Sequence, residues 1–359
     1  MVNPVALSPG ARVQALARLG EGELDVLVVG GGVVGAGAAL DAATRGLSVG
    51  LVEARDWASG TSSRGLILRT EKSVLFVIPW GRHWIIGTTD TDWTLDKAHP
   101  ALSSRDVTYL LEHVNAVLAT PLVPEDVEGV YAGLRPLLSG EAAETSKLSR
   151  EHLVAHPVPG LVVVAGGKYT TYRVMAKDAV DEAARGLDEK VPDCTTQRVP
   201  LLGADGYPAL WNSRHGLATR SGLHVARIEH LLNRYGSLVH ELLAMVAADR
   251  SLGEPLPSSD DYLRVEAVYG VTHEGARHVE DVLARRTRIS IESWDRGVDA
   301  AGTVAALMAP HLDWNQAQQD REVDYYLKRV AAEREAQQQP DDRTADAVRL
   351  GAPDIIPEC

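Results

Sequence analysis

The chain has 359 residues, enough for about two domains, and its 45% hydrophobic and 24% charged residues are typical of a soluble globular protein. A net charge of −13 argues against nucleic-acid binding, because proteins that bind nucleic acids normally present a basic face. Cys194 and Cys359 provide no disulfide framework and no zinc site, and suit a reducing cytoplasm. Since no signal-peptide core or membrane-spanning apolar run is present, we predict a cytoplasmic protein, attached to a membrane at most peripherally.

A strand, a glycine turn and a helix begin the main body of the chain. The short apolar run Val26–Val29 predicts a buried strand, and the small and apolar residues Val34–Thr44 predict a helix. Gly30, Gly32 and Gly35 fit the spacing G-x-G-x-x-G. These glycines permit a tight turn, close approach of a pyrophosphate and close packing of helix on strand. The pattern predicts a dinucleotide site at the helix N-terminus, where free N–H groups favour phosphates.

The residues that follow extend this prediction. Ser48–Val52 predicts a second strand, and Glu53 comes at the distance at which an acidic residue binds a ribose 2′-hydroxyl. Thr61 and Ser62 lie in a small-residue loop whose hydroxyls suit phosphate or ribose. Two simpler interpretations stay open: a glycine-rich strand-to-helix turn without a ligand, and an ordinary polar loop.

A hairpin and an amphipathic helix come next. The residues 73–79 and 83–88 predict two strands joined by a turn at Gly81–Arg82. Ser103 and Asp106 have the spacing of a capping box at a helix N-terminus. The apolar residues of this helix fall on one face, by which we expect it to pack.

A second glycine turn follows two further predicted strands. Val127–Leu138 and Leu161–Ala165 have the composition of strands. The second of these ends in Gly166-Gly167-Lys168, and a helix is predicted from there to about Gly186. Strand, glycines and helix together indicate a second turn that faces phosphate or a flavin.

The C-terminal part is predicted to be helical. Beyond Pro192 there is little strand signal, whereas Arg220–Ala248, Tyr262–Arg286 and Asn315–Gln338 show helical periodicity. A separate helical domain is therefore expected. The residues 340–359 are polar and predict a loosely held tail.

Two motifs in the chain do not fit the chemistry that they suggest at first sight. Gly166-Gly167-Lys168 is not a nucleoside-triphosphate loop, because Val162 occupies the position of the first glycine and Tyr169 replaces the hydroxyl residue. His273 and His278 are five residues apart and point to different faces of a helix, unlike the ligands of a zinc protease. We therefore expect solvated or locally bonded histidines and no metal.

Three cations are candidates for an anion site. Arg135, Arg150 and Lys168 each lie at or near a predicted strand end, among glycines or small residues. If they converge, they can bind a phosphate or carboxylate, each charged hydrogen bond contributing roughly 1.5–3 kcal/mol. The alternative for each is a surface charge or a salt bridge.

In these stretches the chain resembles the FAD-dependent glycerol-3-phosphate dehydrogenases, the respiratory enzymes of bacteria and mitochondria, and most closely their actinobacterial branch. The matching stretches are residues 28–37, 60–64, 77–80, 85–90, 133–137, 149–151 and 166–173. The resemblance implies an α/β fold: a Rossmann-like FAD-binding domain, as in D-amino-acid oxidase and glutathione reductase, plus an all-α C-terminal cap domain.

The resemblance also implies a division of the chain. An N-terminal segment would span residues 1–22, and the FAD-binding domain 23–190. Within the latter, about 66–150 would be the remnant of a substrate domain. The helical domain would span 191–339 and the polar tail 340–359.

The family's reaction is the oxidation of sn-glycerol 3-phosphate to dihydroxyacetone phosphate in glycerol metabolism. A hydride passes from C2 to N5 of FAD, and electrons pass on to a quinone. The resemblance thus implies FAD as cofactor, sn-glycerol 3-phosphate as substrate and a quinone as acceptor. Peripheral contact with the inner face of the cell membrane and a homodimer are left open.

Residue roles follow from the same resemblance. Arg135 matches the arginine beside the reacting hydroxyl, Lys168 a lysine near the flavin and the substrate oxygens, and Arg150 a phosphate-binding arginine. The cofactor-binding positions match the adenosine half, the diphosphate region and the flavin ring; they are Gly30, Gly32, Gly35, Glu53, Thr61, Ser62, Gly167 and Thr170.

The resemblance is interrupted after Arg64. In the family the Thr-Ser-Ser stretch continues into Ser-Lys-Leu-Ile-His-Gly-Gly-Leu-Arg-Tyr and a long segment, whereas here Arg64 is joined directly to a downstream stretch that begins at Gly65. The absent segment supplies an arginine toward the substrate phosphate and a histidine near the reacting carbon. It also supplies sheet strands, so we expect unpaired strand edges and exposed apolar surface. An inactive shortened flavoprotein, and another flavin oxidase acting on a carboxylate or amine, stay open as alternatives.

Overall fold

The structure is a computed structural model, which describes residues 9–19, 24–30, 33–52, 66–69, 74–97, 100–134, 152–187 and 190–353. The elements of the first half are α1 (Pro9–Leu19), β1 (Val26–Val29), α2 (Val33–Thr44), β2 (Val49–Val52), β3 (Leu66–Arg69), β4 (Val74–Trp80), β5 (His83–Gly87), α3 (Ser104–Asn115), β6 (His152–Val158), β7 (Leu161–Gly166) and α4 (Tyr172–Ala184). Those of the second half are α5 (Tyr207–Asn212), α6 (Arg214–Ser221), α7 (Val225–Tyr235), α8 (Val239–Ala248), β8 (Pro255–Leu256), β9 (Ser259–Leu263), α9 (Arg264–Thr272), α10 (Ile289–Glu292), α11 (Val298–Leu312), α12 (Gln316–Ala336) and α13 (Asp342–Leu350).

The chain forms two compact units. The helical unit comprises residues 1–23 and 194–326, and the α/β unit comprises residues 24–193 and 327–359. The division in the second half falls within α12, whose first turns belong to the helical unit. Within the described residues, no helix is long and apolar enough to cross a membrane.

The elements predicted at the N-terminus are confirmed in the α/β unit, where β1, α2 and β2 form a βαβ unit. The prediction that the first strand is buried is wrong, because Leu27 and Val29 on one face of β1 are exposed. The strands β1 and β2 are parallel, in register from Val26 opposite Val49 to Val29 opposite Val52. On one side of the sheet, Val26 and Val28 pack against a small core of Ala38, Ala42, Ala176 and Val180, which α2 and α4 supply. Small side chains on both helices allow this close packing.

The predicted hairpin is also confirmed. β4 and β5 pair antiparallel, with Trp80 opposite His83 across the turn, and β3 adds a third strand. The helix α3 begins after Ser103, whose backbone N–H donates to the Asp106 carboxylate at 3.3 Å. Its fully buried Val114 packs on the inner face of this sheet with Leu75 and Val77.

Several element predictions in the middle and near the end of the chain are corrected. Residues 127–134, predicted as part of a strand, lie outside any strand, because no strand in the described parts pairs with them; residues 135–138 lie outside the described residues. The strand β6, which was not predicted, pairs antiparallel with the predicted β7. In the predicted tail, α13 forms a helix in which the Asp341 side chain caps the N-terminus by accepting from Thr344 N–H at 3.0 Å.

Glycines divide the long helices predicted in the helical unit. The stretch 220–248 breaks at Gly222 and Gly236, with φ of 78° and 57°, because the left-handed conformation that glycine allows cannot continue a right-handed helix. The stretch 262–286 is interrupted around Gly275, with φ of 73°. A short hairpin of β8 and β9 appears where little strand signal was found. The prediction for 315–338 is confirmed by α12.

A buried ion network lies inside the helical unit. Glu266 is fully buried, and its carboxylate lies 3.0 Å from His230 Nε2 and 3.2 Å from Arg234 Nε. It also accepts hydrogen bonds from Leu263 N–H at 2.8 Å and Tyr235 OH at 3.2 Å. Burial by itself would raise the pKa of Glu266, but His230, Arg234 and the Leu263 N–H together hold it below its ordinary value.

Candidate functional site

The first glycine turn lies between β1 and α2, and two of its three motif glycines, Gly30 and Gly35, are described. Gly30 has φ of +107°, and its N–H donates to Val52 O on the neighbouring strand at 2.8 Å. A Cβ on Gly35 would lie 1.9 Å from Gly30 O, so only glycine permits this approach of helix and turn. The close packing predicted at Gly35 is therefore confirmed. Gly32 and Glu53 lie outside the described residues.

The second glycine turn connects β7 to α4. Gly166 and Gly167 have φ of 76° and 78°, which side-chain-bearing residues rarely adopt. A Cβ on Gly167 would lie 2.4 Å from Met175 Sδ and 3.2 Å from His152 Cβ. The turn is thus pressed against α4 and the start of β6.

Residues Lys168 and Thr170 follow this turn and are exposed. The Lys168 backbone N–H donates to Thr171 Oγ1 at 3.2 Å, and Thr171 Oγ1 donates to Lys168 O at 2.9 Å. They accompany a short 3₁₀ turn before α4, in which the Thr171 N–H donates to Lys168 O at 3.0 Å. The chain after Gly167 therefore has a defined path, and the Lys168 side chain is accessible to a ligand.

The two glycine turns lie at the same end of a helix pair. Near the start of α2, a Cβ on Gly37 would lie 3.0 Å from the Tyr172 ring and 3.1 Å from Ala176 Cβ. Just after α2 ends, Arg45 contacts Asp181, nine residues further along α4 than Tyr172, at 2.6 Å. The second contact lies further toward the C-terminus on both helices than the first, so α2 and α4 run in the same direction. Their N-termini, each preceded by a glycine turn, share one end of the unit.

A charged cluster fixes the other end of the same helix pair. Arg45 bridges the fully buried Asp41 at 2.5 Å and Asp181 at 2.6 Å, and Lys177 contacts Asp181 at 2.5 Å. Partial burial opposes ionisation of Asp181, but hydrogen bonds and charge interactions with Lys177 and Arg45 hold its pKa below the ordinary value. The cluster stabilises the parallel arrangement of the helices and thereby the shared end that carries the glycine turns.

The remaining predicted site residues cannot be placed. Arg135, Arg150, Thr61 and Ser62 lie outside the described residues, as do Gly32 and Glu53, so the predicted convergence of the three cations stays a prediction. Sequence reasoning did not identify Gly37 or the Asp41–Arg45–Asp181 bridge. The spacing of Asp41 and Arg45, four residues apart on one predicted helix, was an available signal for half of that bridge.

No metal centre is present among the residues that the structure describes, where no group of three potential ligands comes together. His278 Nδ1 lies 3.0 Å from Glu322, and the His273 ring stacks on Tyr269 at 4.2 Å between centroids. The expectation that these histidines make local bonds is confirmed.

Two sequence families match the chain. Residues 25–68 match the family described as FAD dependent oxidoreductase, and residues 194–319 match the C-terminal domain of alpha-glycerophosphate oxidase. The first match covers the glycine turn and strands β1 and β2, and the second covers most of the helical unit. Together with the fold, these matches define the class of protein that the chain resembles, the FAD-dependent oxidoreductases.

Individual relatives narrow the class. Glycerol-3-phosphate dehydrogenase 2 of Mycobacterium tuberculosis is 59% identical over 297 residues, which cover 83% of this chain and 51% of the relative. A glycerol-3-phosphate dehydrogenase of Mycobacterium leprae is 56% identical over 293 residues, covering 82% and 50%. The chain is thus similar to glycerol-3-phosphate dehydrogenases over most of its own length. It spans about half the length of the curated relatives that it matches.

A solved structure has the same fold. The glycerol-3-phosphate dehydrogenase of Bacillus halodurans, determined in complex with FAD, aligns with a TM-score of 0.75 at 20% sequence identity. The alignment covers 90% of this chain and 98% of that one. The predicted fold class, a Rossmann-like domain of the FAD-binding type plus a helical C-terminal domain, is confirmed.

Proposed function

We propose that this chain binds FAD and oxidises sn-glycerol 3-phosphate to dihydroxyacetone phosphate. The observation that carries the proposal is the pair of glycine turns at one end of the parallel helices α2 and α4, with Gly35 closed on Gly30. A dinucleotide cofactor has two ends, and these turns offer a binding position for each. The substrate is taken from the names of the mycobacterial relatives, and the cofactor from the family match and the Bacillus halodurans complex.

The first turn fits the pyrophosphate of FAD. Among the described residues, no atom lies within 4 Å of the position that a Cβ on Gly30 would occupy, which supports close approach of a ligand to the backbone there. The N-terminus of α2 then supplies free N–H groups and the positive end of the helix dipole. We assign Gly30, Gly32, Gly35 and Glu53 to the adenosine half, and the loop hydroxyls of residues 61 and 62 to the diphosphate region.

The second turn fits the flavin end. Bound FAD would supply the hydride acceptor, N5, for the hydrogen at C2 of the substrate. Gly167 and Thr170 are assigned to the edge of the flavin ring, and the exposed Lys168 to the substrate oxygens. We assign Arg135 to stabilisation of the developing alkoxide and Arg150 to the substrate phosphate, since guanidinium groups bind such anions with charged, directional hydrogen bonds.

The finer points of the proposal rest on the family resemblance. They are a quinone as electron acceptor, location in the cytoplasm with peripheral contact to the inner face of the membrane, and a homodimer. The quinone and the membrane contact are proposed together because a protein that passes electrons to a membrane-dissolved quinone must approach the bilayer surface.

A second candidate function is an FAD-binding protein without dehydrogenase activity. The observation that favours it is the exposed face of β1, on which Leu27 and Val29 are 56% and 78% exposed. Strands of parallel sheets are usually covered on both faces, so part of the surroundings of the site is lacking here. The chain spans only about half the length of the relatives that it matches, which agrees with this.

The cofactor claim is tested by titrating FAD into the purified protein and following flavin fluorescence. We expect saturable binding by the natural sequence, and weakening by about tenfold or more in Gly35→Ala, since relieving ~1–3 kcal/mol of strain must displace the turn. Gly302→Ala is the matched control: Gly302 is an exposed glycine of α11 with no atom within 4 Å of its Cβ position, so affinity stays unchanged. Circular dichroism verifies that both variants are folded. Equal FAD affinity in both variants, or no binding by the natural sequence, would contradict the proposal.

A further inference from the structure

Two histidine–carboxylate pairs connect β6 to α4. His152 Nε2 lies 2.7 Å from Asp178 Oδ2, and His156 Nε2 lies 2.9 Å from Glu182 Oε2. The two pairs are four residues apart on both the strand and the helix, so they are equivalent as tethers between the two elements. They differ in what lies beside them.

Only the first pair adjoins the second glycine turn. His152 is the register partner of Gly166 in the β6–β7 ladder, and its Cβ lies 3.2 Å from the position that a Cβ on Gly167 would take. On the other side Gly167 rests on Met175, whose sulfur also accepts from Thr171 Oγ1 at 3.6 Å. Asp178 is three residues beyond Met175, on the next turn of α4. The pair thus closes a ring of contacts through strand, turn and helix.

The second pair lies outside this ring. Both pairs are partly exposed, but the ladder register shifts between Ala155 and Val158, so His156 is beyond the regular part of the pairing. Glu182 also contacts the exposed Arg185 at 2.6 Å. In the first pair, Asp178 has Lys177 at 3.9 Å as a further cationic neighbour.

We propose that the His152–Asp178 pair is a positioning pair for the Gly166–Lys168 turn. By fixing the start of β6 to α4, it holds Gly167 against Met175 and sets the path of the chain into Lys168 and Thr170. The inference rests on the proposed function, in which this turn borders the flavin. His152 and Asp178 act through the turn and need not touch cofactor or substrate.

The test compares His152→Leu with the matched control His156→Leu. The first readout is hydrogen–deuterium exchange of the amides of residues 167–171 in protein freed of FAD. We expect faster exchange in His152→Leu than in the natural sequence, and an unchanged exchange rate in His156→Leu. The second readout is the FAD dissociation constant, expected to rise about three- to tenfold in His152→Leu alone, which is the scale of one ordinary net hydrogen bond.

Asp178→Leu and the double variant identify the pair as the cause. Each single variant and the double variant should accelerate exchange to the same extent, because removing the second member of a broken pair removes nothing further. Equal effects of His152→Leu and His156→Leu would show a general tether between strand and helix, and would overturn the proposal. An unchanged exchange rate in His152→Leu would also overturn the proposal, as would additive effects in the double variant.

The exchange readout keeps this proposal separable from the proposed function. If the natural sequence takes up no FAD, the cofactor claim fails, while exchange at residues 167–171 still decides whether the pair positions the turn. If FAD binds but the turn does not respond to His152→Leu, the positioning claim fails and the cofactor claim stands.

Discussion

The two units of this chain differ in how they bury their apolar residues. The helical unit has a large core cluster that α6, α7, α8, α9 and β9 supply; its buried members include Leu217, Ile228, Leu231, Leu232, Leu242, Val246, Leu263, Val265 and Val268. The α/β unit instead has separate small clusters: one between α2 and α4, one under α3, and one around Ala101, Ala336 and Ala345. The helical unit thus covers its own apolar faces, and the α/β unit does so only in part.

The exposed side chains show the same difference. Among the described residues, Val13, Leu201, Leu202 and Trp294 are the large apolar side chains that the helical unit exposes. In the α/β unit they are more numerous and lie on strands as well as on helices and loops; the strand members include Leu27 and Val29 on β1, Leu153 and Val158 on β6, and Leu161 and Val163 on β7. The exposed apolar surface expected from the interruption after Arg64 is confirmed. The exposed apolar faces of β1, β6 and β7 are typical of strands that are covered within a larger sheet than the described residues form.

The largest effect is expected in the ion network of the helical unit. Glu266→Ala leaves Arg234 and His230 beside a buried, empty position, and should lower the free energy of unfolding by about 3–5 kcal/mol. Urea denaturation followed by circular dichroism measures it. Glu241→Ala is the control: its carboxylate accepts from Tyr269 OH at 2.8 Å on a partly exposed surface, so its loss should cost about 1 kcal/mol. Similar losses in the two variants would contradict the central role given to this network.

The next effect compares leucines of the two units. Leu232→Ala removes a fully buried side chain from the helical core and should cost about 2–5 kcal/mol. Leu27→Ala removes a side chain that is 56% exposed and should change stability by less than about 0.5 kcal/mol. A large loss in Leu27→Ala, measured by the same denaturation, would mean that the outer face of β1 is covered in solution.

A smaller effect is expected from acidification. The pKa of Glu266 is lower in the folded protein than its ordinary value of 4.5, so the unfolded chain binds the proton more readily. Its contribution to stability is present above that value and is lost as the pH falls through the folded pKa. The urea midpoint of the helical unit should fall below about pH 4.5, and less so in Glu266→Gln, which does not titrate. Equal pH dependence in both proteins would exclude Glu266 as the cause.

Local patterns predicted the elements that local interactions determine. The βαβ unit around Gly30, the hairpin at Gly81–Arg82 and the capped start of α3 all follow from residues close in sequence. The errors arose for elements whose structure depends on contacts with distant parts of the chain or on glycine conformation. The strand predicted over Val127–Leu138 lacks a partner in the described residues, and the helix predicted over Arg220–Ala248 is divided by glycines that periodicity alone tolerates.

The candidate site was predictable to a similar extent. The spacing of the glycines predicted the closure of Gly35 on Gly30, because that contact lies within one turn. It could not predict that Gly37 meets Tyr172, or that His152 meets Asp178, since these contacts depend on how α4 packs on distant segments. The predicted convergence of Lys168, Arg135 and Arg150 depends in the same way on the packing of distant segments.

The most direct test of the proposed function is the visible absorption spectrum of the purified protein, recorded without an electron acceptor before and after addition of sn-glycerol 3-phosphate. The proposal predicts the bands of oxidised flavin, and their bleaching by the substrate. A flavin spectrum that the substrate leaves unchanged would contradict the dehydrogenase activity and favour the FAD-binding protein. A colourless protein that takes up no added FAD would contradict both.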